Sequence, residues 1–146
     1  MIKDVVITIR SLIDYGLDEE DCIDFTTDGV YQMDDDGLAH IAYLETEVTG
    51  LQGTRTSVKV MGDRVIIDRR GGLTNRMEFS PGSKSSFLYD TPVGQATMNM
   101  NTRSLRHRFD INGGELEIDY VLDMEHTVVS RNKFTLTVRE QKQMGV

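Results

Sequence analysis

Leu105–Met124, LRHRFDINGGELEIDYVLDM, decides the fold. In its second half Leu116, Ile118, Tyr120, Leu122 and Met124 share one parity, while Glu115, Glu117, Asp119 and Asp123 share the other; only Val121 breaks the polar set. A period of two describes a strand with one face in a core and the other in water. A parallel sheet covered on both sides would show continuous apolar runs instead. Between the two halves, Asn112-Gly113 predicts a tight type I′ hairpin turn with positive φ at Gly113. Leu105–Asp110 and Glu115–Met124 are therefore neighbours in one antiparallel sheet.

The same rhythm extends in both directions. Gly62-Asp63 separates Thr56–Met61 from Arg64–Asp68, and Pro81-Gly82 and Thr91-Pro92-Val93-Gly94 bracket Ser86–Asp90. Pro-Gly suits a type II turn. Ten strands are predicted: Lys3–Leu12, Cys22–Met33, Leu38–Glu47, Thr54–Met61, Arg64–Arg69, Arg76–Phe79, Ser86–Asp90, Gln95–Asp110, Glu115–Met124 and Arg131–Glu140. Tyr15–Asp21 reads as a solvated acidic loop. A meander this long must hide its edges, and closure does that most completely. The predicted fold is all-β, a single closed antiparallel up-and-down barrel of about eight to ten strands forming one domain over residues 1–146.

Composition narrows the function classes. The 146 residues carry a net charge of −8, which repels phosphate backbones and argues against nucleic acid. Cys22 is the only cysteine, so no intramolecular disulfide or paired-cysteine metal clip can form. The first residues lack a secretory apolar region, and no run approaches the ~18 apolar residues of a membrane span. A cytoplasmic protein without a membrane anchor is expected.

Recognisable catalytic and metal motifs are missing. His40, His107 and His126 have no local ligand pair, so metal binding is not expected. Asp34-Asp35-Asp36-Gly37 lacks the alternate ligand spacing of a calcium loop and reads as an exposed hairpin loop. Gly71-Gly72 lacks the phosphate-loop pattern, and no nucleophile elbow occurs. No catalytic residue and no cofactor are assigned.

One anomaly points to a site. If Ile41 and Tyr43 face inward, period two carries Glu45 inward; if Val65 and Ile67 face inward, so does Arg69. The two charges either emerge past the barrel rim or meet as an interior pair, which requires matched hydrogen bonds. Tyr31, Tyr89 and Tyr120 share inward parity with apolar neighbours and read first as core aromatics. Met98 and Met100 fit either a core or an exposed patch.

These residues also carry a resemblance. Phe25-Thr26-Thr27-Asp28-Gly29-Val30-Tyr31, Tyr43-Leu44-Glu45, Gly53 through Val60, Val65 through Gly71, Arg76-Met77-Glu78-Phe79, Tyr89 through Gly94 and Gly114 through Tyr120 follow in order along nearly the whole chain. In them the chain resembles the YwiB-like β-barrel proteins, a bacterial family of unknown function with a lipocalin-like, calycin-type barrel. The resemblance implies a lipocalin-like barrel in a cytoplasmic bacterial protein and no particular activity. Secreted lipocalins usually carry a Gly-x-Trp motif and disulfides, whereas this chain has no Trp and one Cys.

The favoured reading is a non-enzymatic module that binds a small amphipathic or anionic ligand at a barrel mouth, where Tyr43, Glu45, Arg69 and Tyr89 converge. The alternative is a structural or protein-interaction barrel with a side-chain-filled lumen, whose partner includes a second copy of the chain in a homodimer. An enzyme built on Glu45, Arg69 and a tyrosine is the third and weakest reading.

Overall fold

The computed structural model describes residues 2–16, 18–45, 53–71, 75–91, 94–124 and 127–141. The ten strands are β1 (Lys3–Gly16), β2 (Glu19–Met33), β3 (Ala39–Leu44), β4 (Arg55–Met61), β5 (Arg64–Arg70), β6 (Asn75–Phe79), β7 (Lys84–Thr91), β8 (Gly94–Asp110), β9 (Gly113–Met124) and β10 (Thr127–Glu140). They form one sheet in the order β6-β5-β4-β3-β2-β1-β10-β9-β8-β7. Every neighbour in that order is consecutive in the chain except β1 and β10, whose antiparallel pairing joins the two ends of the sequence. The result is the predicted up-and-down barrel, nearly closed, with a seam between β6 and β7. Across the seam Ser85 Oγ donates to the Glu78 carbonyl at 3.1 Å.

Turn chemistry explains three of the connections among the described residues. Met61 pairs with Arg64, and Gly62 takes φ 61° at the first central position of that two-residue turn, as a type II′ hairpin requires. In Ser80–Ser83 the Ser83 amide donates to the Ser80 carbonyl at 3.0 Å, with Gly82 at φ 74° in the third position of the predicted type II turn. Asp34–Gly37 is a hairpin loop: the Gly37 amide donates to the Asp34 carbonyl at 2.9 Å.

Two local expectations are corrected. Asp110 pairs with Gly113, so the two-residue loop at that hairpin is Ile111-Asn112, and neither residue has positive φ. The turn is therefore not type I′. The Asp110 side chain supplies the local bond instead, with Oδ1 accepting from the Asn112 amide at 2.8 Å. Gly113 does have positive φ, 133°. Tyr15–Asp21 is not a free acidic loop either. Ladder pairing continues through Ile13↔Asp21 and Asp14↔Glu20 to Gly16↔Glu19, with Gly16 and Asp18 at positive φ, because cross-strand bonds outweigh local charge repulsion.

The inward faces make the core. Val5, Ile7, Val58, Val65, Leu116, Ile118 and Leu136 are fully buried. Met98 and Met100 are buried as well, so they line the core. Tyr31 donates its hydroxyl to the Asp110 carbonyl at 2.6 Å, and its ring stacks on Phe109 with centroids 6.0 Å apart. Gly29 also faces inward: a Cβ there would run into Ile7 Cδ1 and the Ala42 carbonyl oxygen, and would sit 3.3 Å from Tyr43 Cβ. The missing side chain is what lets β1 and β3 approach across β2.

Candidate functional site

Register builds the polar part of the lumen. Gly29 pairs with Tyr43, Tyr43 with Thr56, and Thr56 with Arg69, so Tyr43, Thr56 and Arg69 form one row across β3, β4 and β5. Glu45 lies just beyond β3, held there by its amide donating to the Thr54 carbonyl at 2.8 Å. On the opposite wall Ile13 pairs with Asn132, Asn132 with Tyr120, and Tyr120 with Thr102.

Glu45 is the centre of this arrangement. Its side chain is 2% exposed, and Oε1 lies 3.7 Å from Arg69 Nε, whose side chain is 17% exposed. Thr56 Oγ1 donates to Oε1 at 2.6 Å. Arg69 Nη1 donates to Met77 Sδ at 3.5 Å. The charges thus meet inside the wall, and the rim reading is set aside. The pair is nevertheless incomplete, because 3.7 Å exceeds hydrogen-bond length. Buried Glu45 Oε2 and Arg69 Nε, together with Thr102 Oγ1, lack hydrogen-bond partners.

The tyrosines feel this environment. Burial, and next the Glu45 carboxylate, push the Tyr43 phenol far above its ordinary range, with Arg69 pulling partly the other way. Burial raises Tyr120 too, and Arg69 offsets part of that shift. Both phenols stay protonated at neutral pH and act as hydrogen-bonding groups with apolar bodies.

A cavity of about 180 Å³ brings Tyr43, Glu45, Arg69, Tyr120 and Asn132 together with apolar Ile9, Ile23, Phe25 and Phe134. It adjoins a larger, more open hollow of about 470 Å³, the two sharing Ile13, Tyr120, Asn132 and Lys133. Of the four residues singled out in the sequence, Tyr43, Glu45 and Arg69 line the smaller cavity. Tyr89 lies on β7, and its side chain falls outside the described part of the molecule. Tyr120 occupies the second aromatic position; it packs against the core, as its parity predicts, and also lines the cavity. Thr56 and Asn132 were overlooked, although the same period of two carries Val58 to Thr56 and Phe134 to Asn132.

The histidines stand apart. His40 Nε2 is 3.1 Å from Asp34 Oδ2, His107 Nε2 meets the Gly62 carbonyl oxygen, and His126 lies outside the described residues. Among the described residues no three His, Cys, Asp or Glu side chains gather as metal ligands. No helix among them is long and apolar enough to cross a membrane.

A family model described as a domain of unknown function (DUF1934) matches residues 7–136. The chain belongs to the DUF1934 family. Among solved structures, the crystal structure of ywiB protein from Bacillus subtilis superposes with a TM-score of 0.83 at 20% identity, covering 97% of this chain and 94% of that one. At that identity the likeness shows the fold alone, and it makes this DUF1934 member a YwiB-like barrel. A search of curated protein sequences gives no match. DUF1934 membership therefore fixes architecture and leaves function to be argued from the site.

Proposed function

We propose that this barrel is a non-enzymatic module that binds a small ligand, with the polar head held beside Arg69 and Glu45 and the apolar body against Tyr43, Tyr120, Phe25 and Phe134. One observation carries the reading: a buried carboxylate oxygen and a buried guanidinium nitrogen, Glu45 Oε2 and Arg69 Nε, lack partners in residues that line a cavity. Unpaired buried polar groups cost about 1–3 kcal/mol each, so a purely structural ion pair is expected to close up. Arg69, the more exposed partner, presents the planar donor fork that suits anionic or strongly polar heads. The apolar surroundings favour an amphipathic molecule.

The absence of a nucleophile–base pair beside the cavity among the described residues supports binding over catalysis. The single cysteine and the acidic charge fit a bacterial cytoplasmic protein that does not bind nucleic acid. Native mass spectrometry of the protein from its source cells tests the reading. A bound small molecule is expected, lost in an Arg69→Met, Glu45→Met double variant that still folds. A double variant that keeps every ligand of the parent would remove the proposed site.

A further inference from the structure

The cavity's polar groups say more than that a ligand fits; they say what kind of head it carries. Glu45 Oε2 offers an acceptor with a negative charge, and Arg69 Nε offers a donor with a positive charge; both are buried and unpartnered. Their carboxylate and guanidinium are only 3.7 Å apart at the nearest atoms, so any head group that reaches one feels the other. A bare carboxylate would satisfy Arg69 and be repelled by Glu45. A bare ammonium would satisfy Glu45 and be repelled by Arg69. A head with no net charge that places an N–H donor beside a carbonyl acceptor satisfies both, and it leaves the ion pair's own balance intact.

Resting on the ligand-binding reading above, we infer that the ligand is a compact molecule with an uncharged, carboxamide-like head and a single-ring or branched apolar body. Size supports the second half of that statement. An aliphatic cavity of about 150 Å³ takes one benzene ring, and this one is about 180 Å³, so one ring with one head group fits in it. Tyr43, Tyr120, Phe25 and Phe134 supply the faces and edges against which such a ring packs.

Three probes that share a ring and differ in head charge decide the matter: benzamide, benzoate and benzylammonium, titrated into the full chain by calorimetry. Benzamide is expected to bind about tenfold more tightly than either ion, since each ion leaves one buried group unmet. Glu45→Gln should raise benzoate to the tightest of the three, and Arg69→Met should do the same for benzylammonium. Benzoate or benzylammonium ranking first on the unaltered protein, or an order unmoved in Glu45→Gln, overturns the inferred head group while leaving ligand binding standing. No binding by any of the three overturns both. If neither variant folds, the ranking on the unaltered protein decides alone.

Discussion

Glu45 and Arg69 are unequal partners, and the inequality can be measured. Arg69→Met leaves a carboxylate whose side chain is 2% exposed without its counter-charge, and we predict a loss of about 3–5 kcal/mol, the range for breaking a buried pair from one side. Glu45→Met leaves a partly exposed guanidinium that can turn toward the cavity, so a smaller loss of about 1–3 kcal/mol is expected. The double variant should recover much of the Arg69→Met loss; urea unfolding showing equal single-variant costs and no recovery would contradict the contact. The tyrosines predict a pH response of definite sign. Tyr31 is raised from 10.0 to about 12 by burial and then by Asp110, and Tyr43 and Tyr120 shift the same way. Between the unfolded and folded values the unfolded chain releases protons first, so stability is intact below about pH 10 and falls as pH rises toward 12 and beyond. Melting temperatures across that range should drop, and an ultraviolet titration should show these three of the five tyrosines ionising only with unfolding. Glu45 and Arg69 were legible because parity alone turned charge inward. Thr56 as the partner of Glu45 was not, since that pairing needs the register of β3 on β4.

At the scale of elements, glycines set how closely strands approach. Gly113 begins β9 at φ 133°, and a Cβ there would strike the Val138 carbonyl oxygen on β10. Gly113→Val should therefore lower stability well beyond an ordinary surface change, by at least the ~1–3 kcal/mol of a strained backbone; an unchanged melting temperature would mean the hairpin is joined differently. Gly29→Ala probes the site from beneath. Overpacking costs about 1–3 kcal/mol, and the clash with Ile7 and the crowding of Tyr43 should weaken ligand binding in the same variant. Binding unaffected at reduced stability would separate Tyr43 from the site. The hairpin rhythm located all ten strands because alternation and turn residues are local properties. It placed the Asn112-Gly113 turn one residue late, since the loop is fixed by which residues pair across it, and it missed the β1–β2 extension, where the acidic run suggests solvent and the ladder supplies strand bonds.

For the whole molecule, closure is uneven. Most strands are paired on both sides, whereas β6 and β7 end the ladder and meet at a seam bridged by Ser85 Oγ and the Glu78 carbonyl. Hydrogen exchange should be fastest at the amides of β6 and β7 and slowest in β1 and β10, because opening costs less where one flank is unpaired. Uniform protection around the barrel would argue for a fully laddered seam. The sequence by itself determined an all-β meander, its strands, the Gly62-Asp63 and Pro81-Gly82 turns and the inward direction of Glu45 and Arg69, since each follows from a period of two and from residues that permit particular φ values. Tertiary structure alone decided that the seam falls between β6 and β7, that Tyr120 and Asn132 face Glu45 and Arg69 across one cavity, and that the ion pair stands incomplete. Those facts depend on distances between strands remote in the chain, and no local pattern encodes a distance.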